Sequence, residues 1–141
     1  MYNGSLMRID KQLIKSLFEQ AKENPRLRQN LDLRTSAEDS SQRMLNALLP
    51  GTEVAVHKHP MSNENVILLV GKMDEIICDA EGKEVERIHL DPSTGNFGCV
   101  VPADTWHTVE VIEPSVIYEG KDGKYGEDGS TTLTTSSSAT Q

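Results

Sequence analysis

Cysteine is scarce in this 141-residue chain, which holds only Cys78 and Cys99. Two thiols in a chain of this length make no disulfide framework, and both lie in β-prone runs, so free and partly buried cysteines are expected. Positive charge is also short, with 14 Lys and Arg against 22 Asp and Glu, a formal net charge of -8. Nucleic-acid affinity comes largely from Lys and Arg displacing counterions at phosphates, so DNA and RNA are excluded as expected partners. No apolar run is long enough to span a bilayer. The stretch from Met1 to Arg8 lacks a basic region followed by an apolar one, so nothing in it reads as an export signal. The expectation is a cytoplasmic protein without a membrane partner.

The length fits one domain with a single core. From Asp10 to about Glu23 the apolar residues Leu13, Ile14, Leu17, Phe18 and Ala21 recur at three- and four-residue spacing. With Asp10 as N-cap and Pro25 just past the end, this predicts an amphipathic helix that covers part of a sheet. Residues 26 to 41 show no sustained period and read as a connection with one short strand at most. After Ser41 the chain changes to short β-prone runs: 42–49, 53–57, 65–70, 73–78, 84–90, 97–101, 108–112 and 116–118. Pro-Gly, Glu-Gly and Asp-Pro-Ser-Thr-Gly breaks separate them, the pattern of an all-β sandwich or barrel. Residues 127–141 are nearly all Ser, Thr and Gly, which predicts a poorly ordered tail. The expected division is therefore helix and connection over 1–41, barrel over 42–126, and tail over 127–141.

The stretch that carries chemistry runs from Gly51 to Gly71. Side chains alternate across a strand, so His57 and His59 project from one face and can grip one ion. Glu64, after a short Pro-containing turn, adds a carboxylate and completes a facial set of three ligands. His107, following Pro102-Ala-Asp-Thr-Trp, offers a fourth. Three neutral imidazoles and one carboxylate leave a divalent ion with a net charge of about +1 and, if six-coordinate, two open positions. Nitrogen and oxygen ligands without thiolate suit Fe, Mn, Ni, Co or Zn. The chain has a core of its own, so an open functional site is favoured over a structural one.

Position by position, Gly51, His57, His59, Glu64 and Gly71 match the first cupin motif, G-x5-H-x-H-x4-E-x6-G. The second motif, G-x5-P-x-G-x2-H-x3-N, is half kept. Pro102 and His107 stand in place, while Asp104 replaces the central Gly, Val111 replaces the Asn, and Gly95 lies one residue too far away. Asp tolerates a left-handed backbone better than most residues, so the turn can survive the exchange. The segments Pro25 to Asn30, Gln42 to Thr52, Pro102 to Thr108 and Lys121 to Tyr125 resemble the WbuC family of small cupin metalloproteins. The resemblance implies a mainly β fold, a cupin-type double-stranded β-helix or jelly-roll barrel with an N-terminal amphipathic helix. It also implies a homodimer, one divalent metal, and a setting in bacterial surface-polysaccharide biosynthesis, without naming a reaction.

If 42–49 is a strand, Gln42, Met44, Asn46 and Leu48 share one face and Arg43, Leu45, Ala47 and Leu49 the other. The mixed polar face is assigned to the lumen, which makes Gln42 and Asn46 candidate substrate-binding amides. Tyr118 is a third candidate, and Lys121 or Arg26, Arg28 and Arg34 are possible rim anchors for an anion. Val66, Leu68 and Val70 are expected inward with Glu64. Trp106 is expected against the helix. His89 is read as structural or exposed, and Glu53, Glu75, Glu110 and Glu119 as solvated charges. The functional expectation is a metal-dependent enzyme, an isomerase, lyase or oxygenase, acting on a small polar molecule. The alternative is a module that binds or senses such a molecule without turning it over.

Overall fold

A computed structural model describes residues 2–123 and 129–133. Among these residues the one α-helix, α1 (Lys11–Glu23), starts where Asp10 caps it: the Asp10 carboxylate accepts from the Leu13 amide at 3.0 Å. It ends as the Asn24 amide reaches the Ala21 carbonyl, immediately before Pro25. Leu17 and Ala21 are its fully buried residues, as the spacing predicts. Asp10→Ala removes the cap, and its expected cost is about 1 kcal/mol in a denaturant titration.

Eight strands follow among the described residues: β1 (Arg28–Asp32), β2 (Ser41–Leu48), β3 (His57–Lys58), β4 (Glu64–Cys78), β5 (Glu84–Leu90), β6 (Gly98–Val101), β7 (His107–Asp122) and β8 (Thr131–Thr132). All their pairings are antiparallel. The order β1-β2-β7-β3-β8 forms one path, and β4 bridges from it by pairing with β5, β6 and β7. Breaks expected at Gly71 and at Glu113-Pro114 do not end a strand. The register of β4 against β7 shifts between Leu68 and Met73, so the two long strands bulge together there and continue. Gly71 has φ 101°, and Ser115 holds the bulge by accepting from the Lys72 amide at 3.1 Å and donating to the Glu113 carbonyl at 2.7 Å. The run expected over 53–57 is reduced to His57–Lys58.

Two apolar clusters result. Leu48, Val66, Leu68, Met73, Leu90, Val111 and Ile117 fill the barrel interior. Leu45, Ala47, Leu49 and Val116 pack outside, under Leu17 and Ala21 of α1. This is the alternation foreseen for residues 42–49. Val70 departs from its expected place: it packs with the outer cluster, because the bulge turns the alternation over after Leu68. The interior, so enclosed, is apolar at one end and polar at the end where β3, β4 and β7 meet.

Residues 129–133 also depart from expectation. β8 lies against β3, with Thr132 opposite His57 and Thr131 opposite Lys58, and the Leu133 amide donates to the Val56 carbonyl at 2.8 Å. Backbone pairing needs no apolar side chains, so composition did not reveal it. The rest of the expected tail, residues 127–128 and 134–141, lies outside the described residues.

Candidate metal centre

His57 and His107 face each other as a cross-strand pair, their ring centroids 4.3 Å apart. His59 completes the triangle at 5.0 Å from His57 and 5.3 Å from His107. One ligand nitrogen from each ring lies within 4.8 Å of the others, a candidate three-histidine metal site. The Nδ1 of His57 lies 2.8 Å from the Ala55 carbonyl, and that of His107 lies 2.9 Å from the Thr105 carbonyl. A carbonyl can only accept, so each Nδ1 carries the proton and each Nε2 keeps the lone pair a metal requires. Burial, with His107 adding to it, pushes His57 down to about 4, which keeps that imidazole neutral.

Glu64 enters from β4, with Oε2 3.4 Å from His59 Nε2 and Oε1 3.4 Å from His107 Nε2. Burial opposes its charge, but His107 and His59 outweigh that and hold the carboxyl well below its usual range. For His107, too, burial opposes the charged form, yet Glu64 and the nearby Glu75 outweigh it and raise the imidazole's pKa. His107 Nε2 is buried with no well-formed hydrogen bond among the described residues. Four convergent donors, one of them an unsatisfied buried nitrogen, fit a divalent ion.

The left-handed turn expected at Asp104 is present, with φ 61°. The Asp104 amide donates to the His59 carbonyl at 2.9 Å, and its carboxylate pairs with Lys58 at 2.8 Å, tying the loop before His107 to the loop after His59. Trp106 is not against α1 as expected. Lys58 Nζ sits 4.7 Å above its ring, a cation–π contact that places Trp106 over β3, outside the cage.

Two carboxylates that sequence reading assigned to solvent lie in the lumen. Glu75 is 1% exposed and groups with Glu64 and His107, ligand atoms within 4.8 Å. Burial pushes its carboxyl up to about 8, His107 opposing and Glu64 and Glu119 adding. Glu119 accepts from Asn46 Nδ2 at 3.0 Å, and burial with the Glu64 charge lifts it to about 7. A signal existed for Glu119: counting by twos from His107 along β7 reaches it. The same count turns Tyr118 outward, and Tyr118 does pack on the α1 side rather than beside Asn46. No such count finds Glu75, because the bulge reverses the alternation between it and Glu64.

Gln42 is 6% exposed, and its Oε1 and the Asn46 Oδ1 are both buried without hydrogen-bond partners among the described residues. Lys121 is inward too, the cross-strand neighbour of Gln42 on one side and Glu64 on the other. Arg34 is bound to Asp32, by contrast, Arg26 is exposed, and Arg28 opens β1 opposite Leu48. His89 is exposed and bonded to Asp74 at 2.7 Å, and Glu110 is an exposed partner of Arg87. Cys78 and Cys99 are free; burial, with Glu75 and Glu64, pushes the Cys99 thiol up to about 12.

A family model described as Domain of unknown function (DUF6016) matches residues 9–90. The chain belongs to the DUF6016 family. No curated protein matches the DUF6016 chain in sequence. Among solved structures, protein TT1209 from Thermus thermophilus aligns at TM-score 0.59 and 24% identity, covering 83% of this chain and 98% of that one. A cupin superfamily protein from Desulfitobacterium hafniense aligns at 0.54 and 18%, covering 69% and 78%. The capsular polysaccharide assembling protein CapF from Staphylococcus aureus aligns at 0.57 and 17%, covering 69% of this chain; the DUF6016 chain spans 27% of CapF. The DUF6016 fold is thus a mainly β cupin fold with one N-terminal helix. None of its described helices is long and apolar enough to cross a membrane.

Proposed function

We propose that this DUF6016 protein holds one divalent metal ion through His57, His59, Glu64 and His107 and is a metal-dependent enzyme acting on a small, oxygen-rich polar molecule. The observation that carries the reading is the convergence of three imidazoles, two with Nδ1 tied to a carbonyl, on a buried carboxylate. When bound, the ion supplies a Lewis acid for a carbonyl or hydroxyl, or a site for oxygen activation. Glu75 and Glu119, carboxyl groups beside the cage, are the candidate acid and base. Gln42 Oε1 and Asn46 Oδ1 are buried acceptors without donors among the described residues, a lining that suits a substrate carrying hydroxyl or amino groups.

Surface-polysaccharide biosynthesis is the setting that the WbuC resemblance and the fold likeness to CapF support. Small acids are supported by the fold likeness to an oxalate oxidase solved with glycolate and an oxalate decarboxylase solved with formate. Elemental analysis of native protein is expected to return about one divalent ion per chain, with His59→Ala and Glu64→Ala near zero. Near-zero metal in the native protein, or full occupancy in both variants, overturns the metal reading. Protein loaded with Fe(II), Mn(II), Ni(II) or Zn(II) is then incubated with sugar nucleotides and keto acids. Tight binding with no product under any metal makes the protein a binding module instead.

A further inference from the structure

The three imidazoles of the cage are oriented in two different ways. His57 and His107 each lean on a carbonyl two residues back in their own chain segment, an anchor that comes with the local backbone. The Nδ1 of His59 instead meets the Oγ of Ser130, 71 residues away, at 2.5 Å. Ser130 is placed by backbone pairing: β8 next to it runs antiparallel to β3, and Leu133 is tied to Val56.

We infer that Ser130 is a positioning residue of the metal cage, and that the segment Gly129–Leu133 sets the affinity of the site by holding His59 in its ligating orientation. The inference rests on the metal reading above. With Nε2 ligating a metal, Nδ1–H donates to Ser130 Oγ, which holds the ring rotation. An unheld ring must lose its rotational freedom when it ligates, and that cost falls on the binding constant. His59 directly precedes the Pro60-Met61 turn, and the Ser130 hydroxyl meets its ring at the nitrogen opposite the one facing Glu64. The residue just before β8 is therefore part of the metal site, although the composition around it is that of a linker.

Titration of full-length protein with Zn(II) against a competing chelator, and with Co(II) followed by its visible absorption, tests this. Ser130→Ala is expected to weaken both metals about 10- to 100-fold and to alter the Co(II) spectrum, while Ser130→Thr, which keeps the hydroxyl, stays within about twofold of wild type. Circular dichroism of the metal-free variants controls for folding. Leu133→Pro, which removes the amide bonded to Val56, is expected to weaken binding with Ser130 still present. If wild type binds neither metal, the metal reading itself fails. If wild type binds and Ser130→Ala binds equally with an unchanged Co(II) spectrum, the cage stands and the positioning role is overturned. Equal weakening in Ser130→Ala and Ser130→Thr also overturns it, since the hydroxyl is then not the cause.

Discussion

Saturating Zn(II) is expected to raise the unfolding temperature of the metal-free protein by about 10–20 °C, and His107→Ala to abolish that rise. A ligand bound only by the folded state stabilises it by RT ln(1 + [L]/Kd), about 4 kcal/mol at a thousandfold excess over Kd. For a chain of this size each kcal/mol moves the midpoint by roughly 2–5 °C. The cage is split along the sequence, two histidines before β4 and one opening β7, so an unfolded chain has no preformed site and the linkage is strong. His107 is the variant of choice because it pairs across the sheet with His57 and also contacts Glu64. Differential scanning fluorimetry with and without metal reads the effect. A His107→Ala protein that keeps more than half of the wild-type rise refutes the four-ligand cage, since the remaining donors then suffice.

The parts of this site that sequence reading reached are those whose geometry is local. His57, His59 and Glu64 sit within eight residues, and strand alternation alone puts the two imidazoles on one face. Gln42 and Asn46 were likewise reached by counting along one unbroken strand, and the structure turns both inward. What was missed depends on pairings between distant segments. Glu75 faces the cage only because β4 bulges near Gly71, where the register against β7 slips, and a slip reverses every side chain beyond it. Val70 went to the outer cluster for the same reason. Pro114 divides β7 into two runs in the sequence, which hides the continuous count from His107 that turns Glu119 inward and Tyr118 outward. Trp106 lies between the Ala103-Asp104 turn and β7, where strand alternation does not hold, and Lys58 packs on its ring. Ser130 had no pattern at all, because its role is set by a backbone ladder.

Gly71→Ala is expected to cost the fold about 3–5 kcal/mol, from left-handed strain and overpacking together. A Cβ at this position would lie 2.6 Å from Ser115 Cα and closer still to the Pro114 carbonyl and Ser115 Oγ, backbone and a bonded hydroxyl that cannot swing aside. The φ of 101° adds its own penalty for any residue with a side chain. Gly95→Ala separates the two terms: its φ is 87°, but a Cβ there meets nothing within 4 Å, so only the conformational cost of about 1 kcal/mol is expected. Urea denaturation of the metal-free proteins measures the difference. The consequence extends beyond stability, because the bulge that Gly71 permits is what turns Met73 and Glu75 into the lumen. A Gly71→Ala protein that folds by closing the bulge would present Asp74 to the cage in place of Glu75, and its metal affinity would change with its register. Equal costs for Gly71→Ala and Gly95→Ala would show that the close approach of β4 and β7 is not what this glycine serves.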